Sequence, residues 1–252
     1  MKLLAGSRIV GAAALLIGGL GQNAIASPGT WEATLQGRDL NQDGITDAFY
    51  DTVLDITWLK DWNLAKTSKF AGANANGGMD WIEAKHWAES LTFGGFSDWR
   101  LPGIRPVNGL AFDYRFSTDG STDIGYSRPG QGWGDASEIG HLYYVTLGHA
   151  AFSPEVYASN SDNRPFENMA TGSFYWIDAL YAVDPSRAFR FWNTYGEQGH
   201  SLKSLDLHAV AVRNGDVAPI PEPTTLASFI AGMLCLVLFR SAQTIPGADR
   251  LK

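Results

Sequence analysis

The sequence predicts an α+β fold: one body with two helices and antiparallel strands, set between an apolar head and an apolar tail. Three observations carry this. Apolar residues make up 45% of the 252-residue chain, 12% is aromatic and only 18% is charged, so a sizeable core can form and a disordered chain is excluded. Twenty-eight glycines imply many turns rather than long helices. Capped helical periodicity occurs in two places, and β-branched and aromatic runs fill much of the rest.

The first helix is predicted over residues 81–91. Asp80 is a good N-cap, Glu83 follows three residues later, and Trp81, Ala84, Ala88 and Leu91 recur at helical spacing. Gly94-Gly95 ends the segment, and Asp98-Trp99-Arg100-Leu101-Pro102 then reads as an extended turn. A second helix is predicted over 138–147, with Ser137 as N-cap and Gly148 as terminator. Residues 55–59 read as a strand. Residues 174–177 and 188–192 flank a turn at 184–187, as in a hairpin, and residues 205–212 alternate as a last strand packed on one or both faces. Long loops rich in Gly, Ser, Asp and Asn occupy 112–135 and 150–172, lengths that suit recognition.

The head, residues 1–26, has the parts of a secretory signal peptide. Lys2 and Arg8 precede an apolar stretch over 9–20, and Ala24-Ile25-Ala26 offers signal peptidase a small-residue site before Ser27. The tail, 218–252, opens with a proline-rich stub that cannot continue a helix. Sixteen uncharged residues, 224–239, follow and make a helix of roughly 24 Å, slightly short of a bilayer core. Pro221-Glu222-Pro223, the span and Arg240 together resemble the PEP-CTERM sorting signal of Gram-negative bacteria. That resemblance implies an inner-membrane intermediate, recognition by an exosortase, and delivery to the cell surface or extracellular matrix. An ordinary single-pass membrane anchor is the alternative.

Between them, residues 27–217 form the exported domain. The lone Cys235 lies in the apolar span, so the exported part has no disulfide, thiolate metal site or cysteine nucleophile. The chain carries a net charge of −7 and its segment 27–219 about −10, which disfavours nucleic acid. The run Tyr50-Asp51-Thr52-Val53-Leu54-Asp55-Ile56-Thr57-Trp58-Leu59, the helix over 81–91, Asp98-Trp99-Arg100-Leu101-Pro102 and Ala211-Val212-Arg213 resemble the Lcl C-terminal-domain-like family of bacterial surface proteins. The resemblance covers most of the body. It implies a C-type-lectin-like α+β architecture and, in some adhesin members, binding of sulfated glycans.

Candidate sites follow from residue type. Asp39, Asn41, Asp43 and Asp47 alternate oxygen-bearing side chains around Gly44, an arrangement that wraps a hard cation such as Ca²⁺; position 12 of that loop, however, is Tyr50 rather than an acid. An Asx-rich turn is the alternative. Glu83, His86 and Glu89 share a helix as a single acid/base or metal pattern, against a solvated helix face. Arg100 is expected to pair with a structural carboxylate such as Asp98 or Asp55, with binding of a ligand's acid group as the alternative. Trp133, in the long loop with Tyr126 and Arg128, either stacks on a sugar ring or plugs the loop onto the core. Four histidines, 141, 149, 200 and 208, lack metal-ligand spacing, and no Gly-x-Ser-x-Gly elbow is present. These features lead to the expectation of a non-enzymatic binding module for polysaccharide or a surface. An exported polysaccharide hydrolase and a structural matrix protein are the alternatives.

Overall fold

The computed structural model describes residues 29–152, 165–170 and 172–217. The expected signal peptide with Ala24, Ala26 and Ser27, and the expected sorting signal with Pro221, Glu222, Pro223 and Arg240, lie outside those residues. Among the described residues no helix is long and apolar enough to cross a membrane. The architecture is α+β, with two sheets and few helices.

The first sheet is built from β1 (Leu35–Arg38), β2 (Ala48–Asp51), β3 (Ile56–Leu59) and β9 (Val212–Asn214), in that spatial order and antiparallel throughout. It therefore joins the start of the body to its end. A second sheet has the order β4 (Phe116–Ser117), β5 (Ile124–Gly125), β8 (Glu197–Leu202), β7 (Arg187–Trp192) and β6 (Phe174–Leu180). Its β6–β7 hairpin is the one expected from the sequence, with Phe174 opposite Trp192. The short β4–β5 pair is parallel; the other pairs in this sheet are antiparallel.

Helices α1 (Trp31–Thr34) and α2 (Leu64–Thr67) are single turns. The main helix, α3 (Trp81–Ser90), begins where Asp80 caps it by accepting the Glu83 amide at 2.9 Å. It buries Ala84, Trp87 and Ala88, spaced i, i+3 and i+4, so one stripe faces the core. The second predicted helix opens as α4 (Glu138–His141), with the Ser137 hydroxyl accepting the Gly140 amide at 3.0 Å. It continues as a π-helical turn over Leu142–Thr146 and stops at Gly148, whose φ of 73° suits a residue without a side chain. The wider turn sets consecutive tyrosines Tyr143 and Tyr144 both into the core, bonding the Ala150 and Gly196 carbonyls respectively.

Two apolar clusters share the strands between them. Ile56 and Trp58 of β3, Tyr175 and Ile177 of β6, and Val210 and Val212 point into the first. Leu59, Trp176, Ala209 and Ala211 point into the second, together with α3, Trp99 and Leu101. Adjacent residues on one strand alternate sides, so these strands are buried on both faces and read as continuous apolar runs. Residues 209–212 are buried on both faces as expected, but Leu205 and Asp206 are exposed and the strand is shorter than expected. Only Val212–Asn214 joins a ladder; Leu207 makes a single bridge to Met79 and His208 one to Tyr175. Residues 207–211 bond Met79, then Phe174 and Trp176 of β6, then Leu59 of β3, and form no continuous ladder with any of them.

Candidate functional site

The run Asp98–Pro102 forms a ledge over the first sheet's last strand. Trp99 and Leu101 are buried in the second cluster. Alternation therefore turns Arg100 outward, and its amide and carbonyl both bond Val212, each at 2.8 Å. The guanidinium grips Glu138 with two parallel bonds of 2.7 and 2.8 Å and donates to Asn214 Oδ1 at 2.6 and 3.1 Å. Glu138 also accepts the Gly103 amide at 2.6 Å. Burial alone lowers the Arg100 pKa; the hydrogen bonds and charge of Glu138 outweigh it and raise the value, so the guanidinium stays charged.

This partner corrects the sequence expectation. Asp98 instead receives Arg213 at 2.8 and 3.0 Å, and Asp55 accepts the Tyr50 hydroxyl at 2.8 Å. Glu138 lies 38 residues from Arg100 and is brought to it only when α4 docks beside the ledge. No local spacing announces such a pair.

Between the ledge and the start of α4 lies an open recess of about 320 Å³, lined by Arg100, Gly103, Arg105, Asp135, Glu138 and Asp178 among others. Arg105 and Asp135 form an ion pair across its mouth, both largely exposed. On the far wall both oxygens of Asp178 accept from the Lys85 ammonium, at 2.8 and 2.9 Å, while its amide donates to the Pro102 carbonyl. At the start of α4, Ser137 is wholly buried and donates to Gln198, which in turn donates to the Asp123 carbonyl, tying the helix start to β8. The result is a polar hollow whose charges are matched in pairs. Such a lining offers many donors and acceptors to a polyhydroxylated ligand and no strong net field. Arg105, Asp135, Glu138 and Asp178 were not legible as a group because they come from three separate segments.

The acidic loop holds itself together. Asp39 accepts the Gln42 and Gly44 amides, each at 2.7 Å, Asn41 that of Asp43 at 2.9 Å, Asp43 that of Ile45 at 2.8 Å, and Asp47 that of Leu40 at 2.9 Å. Lost hydration would raise the pKa of the exposed Asp39, but the amides of Gly44, Gln42, Asp43 and Asn41 lower it further. All four candidate Ca²⁺ ligands therefore cap amides of their own loop, the Asx-turn arrangement. Among the described residues no three His, Cys, Asp or Glu side chains gather as a metal-holding group.

Trp133 takes the second of its two expected placements. It is 5% exposed, its indole N–H donates to the Thr122 carbonyl at 2.8 Å, and its ring meets Tyr144 edge-on. Assignment of Trp133 as an exposed stacking ring is corrected accordingly: the loop's many turns fold it inward, and the ring plugs the loop onto the first cluster. Tyr126 is buried as well. On α3, Glu83, His86 and Glu89 are exposed, and Glu89 pairs with Lys85 at 2.7 Å, so these residues form a solvated face. The histidines are dispersed too: His141 bonds the Gly134 carbonyl, His200 stacks on Tyr181 at 3.9 Å, and His208 bonds the Asn76 carbonyl.

Comparison with known proteins finds no family model, no curated protein and no solved structure that matches the chain.

Proposed function

We propose that this chain is an exported cell-envelope or extracellular-matrix protein whose folded body binds polysaccharide or a polysaccharide-coated surface. Signal peptidase releases the head, and an exosortase acts on Pro221-Glu222-Pro223 with Arg240 marking the inner side of the membrane span. The observation that carries the binding reading is the charge-paired recess beside the Asp98–Pro102 ledge. Hydrogen-bonding groups of both kinds, fixed by ion pairs and by backbone contacts, are what recognition of sugar hydroxyls requires.

The lectin-like architecture and the Lcl-like kinship suggested by the sequence fit this reading. Sulfated glycans fit it poorly, because a body carrying about −10 repels polyanions unless Ca²⁺ held at Asp39, Asn41, Asp43 and Asp47 bridges them. A hydrolase would draw on Glu138 and Asp178. Both carboxylates are already clamped by cations, an arrangement that suits fixed acceptors better than a shuttling acid.

The test is a glycan array with the full-length chain, run with and without Ca²⁺, beside an Arg105→Ala/Asp135→Ala variant. Retention on neutral glycans, weakened in the variant, is expected. Release of shortened sugars would establish the hydrolase instead, and an array blank under both conditions would leave the structural role.

A further inference from the structure

The outer face of the second sheet is covered over only part of its area. Register places Phe174 opposite Trp192, Trp192 opposite Glu197, and Arg190 opposite both Trp176 and Gly199. Residues directly opposite share a face, so Phe174, Trp176, Arg190, Trp192 and Glu197 all point the same way. Trp176 and Ala188 lie under α3 in the second cluster. Beyond them a row of rings continues, with Phe174, Trp192 and Tyr195 part-buried, Tyr126 buried, and Phe116 and Phe152 exposed. Phe174 meets Trp192 at 4.8 Å, Trp192 meets Tyr195 at 4.3 Å, Tyr195 meets Phe152 at 5.8 Å, Phe152 meets Tyr126 at 4.3 Å, and Tyr126 meets Phe116 at 5.7 Å. Phe116 and Phe152 are 60% and 57% exposed.

Among these rings sits one ion pair. Arg190 holds Glu197 at 2.8 Å and lies over the Phe174 ring at 4.5 Å. Gly199 makes room for it: a Cβ there would stand 3.0 Å from Glu197 Oε1 and 3.1 Å from Arg190 Nη2.

We propose that this aromatic strip is a second contact surface, and that its occupant is an extended neutral polysaccharide. The proposal rests on the binding reading above and adds where and what kind of chain is held. Two features choose the occupant. A sugar chain lays its C–H faces on the exposed rings and turns hydroxyls to the part of Arg190 and Glu197 still reachable, 12% and 18% of their side chains, so that remainder keeps hydrogen-bond partners. An apolar protein face would desolvate the pair without replacing them. Charge decides the remainder: a body of about −10 repels both a second copy of itself and a polyanion, whereas the strip's own Arg190–Glu197 pair is neutral. Because six rings follow one another at centroid spacings between 4.3 and 5.8 Å, the strip accommodates an oligosaccharide rather than one sugar.

The test is native affinity electrophoresis of the full-length chain in detergent, through gels containing hydroxyethyl cellulose, galactomannan or dextran, with polygalacturonate as the charged comparison. Wild type should be retarded by at least one neutral polymer. Phe116→Ala/Phe152→Ala should weaken that retardation about tenfold, the loss of two stacking rings. Phe116→Ser alone, at the exposed edge, should move it in the same direction and covers the case in which the double variant loses its fold. A folded double variant retarded like wild type overturns this proposal and leaves the binding reading standing. Wild type unretarded by all three neutral polymers overturns both, and stronger retardation by polygalacturonate overturns the assignment of a neutral ligand.

Discussion

At the scale of single residues, long-range partners matter more than local motifs. Trp133 shows this well. Its position in a glycine-rich loop left an exposed ring and a buried plug equally open, and only the Thr122 carbonyl and Tyr144 ring, brought together by the fold, decide between them. Trp133→Ala should therefore cost about 3–5 kcal/mol of stability in chemical denaturation, as for other buried aromatic truncations. A loss under 1 kcal/mol would contradict the placement. Glu138 makes the same point from the opposite direction. Nothing near it in sequence marks it, yet it satisfies both the Arg100 guanidinium and the Gly103 amide. Glu138→Ala leaves both donors without that acceptor in a partly buried setting, and a loss of about 2–3 kcal/mol is expected from the same measurement.

At the scale of elements, what is local was readable and what is shared was not. Helix α3 was legible because its cap, its first-turn acid and its apolar stripe lie within a dozen residues. Removing the cap with Asp80→Ala should cost about 1 kcal/mol, seen as a lower denaturation midpoint with the slope unchanged. Strands β1 and β8 were not legible. Leu35–Arg38 and Glu197–Leu202 each contain a glycine and mostly polar residues, and their pairing comes from neighbours rather than from apolar alternation. The last strand was overextended for a related reason: an apolar run looks like a ladder in sequence, although the hydrogen bonds of 207–211 go in turn to Met79, β6 and β3. The recess belongs to this scale as well, since its walls come from the ledge, α4 and β6, and no one of them carries its pattern.

At the scale of the whole molecule, the end of the body is fastened by charge. Arg213 holds Asp98, and Arg38 holds Asp216 at 2.7 Å, stitching β9 and the residues after it to the ledge and to β1. The Arg213 hydrogen bond lowers the Asp98 pKa, and the Arg38 hydrogen bond lowers that of Asp216. Each carboxyl thus binds its proton less readily in the folded chain than in the unfolded one. The stability they add is complete above the ordinary carboxylate pKa of about 3.9 and is lost as pH falls through their lowered folded values. Denaturation midpoints should fall below about pH 4, and Asp98→Asn should flatten part of that fall. A variant with the wild-type acid profile would show that the pair contributes nothing to it.

Export is the claim on which the whole reading of this acidic, cysteine-free body depends. The most direct measurement is mass spectrometry of both termini of the protein recovered from separated cytosol, membrane and extracellular matrix. The account predicts a product beginning at Ser27 in the envelope or matrix fractions. An intact chain from Met1 to Lys252, dissolved in the cytosol, would contradict it.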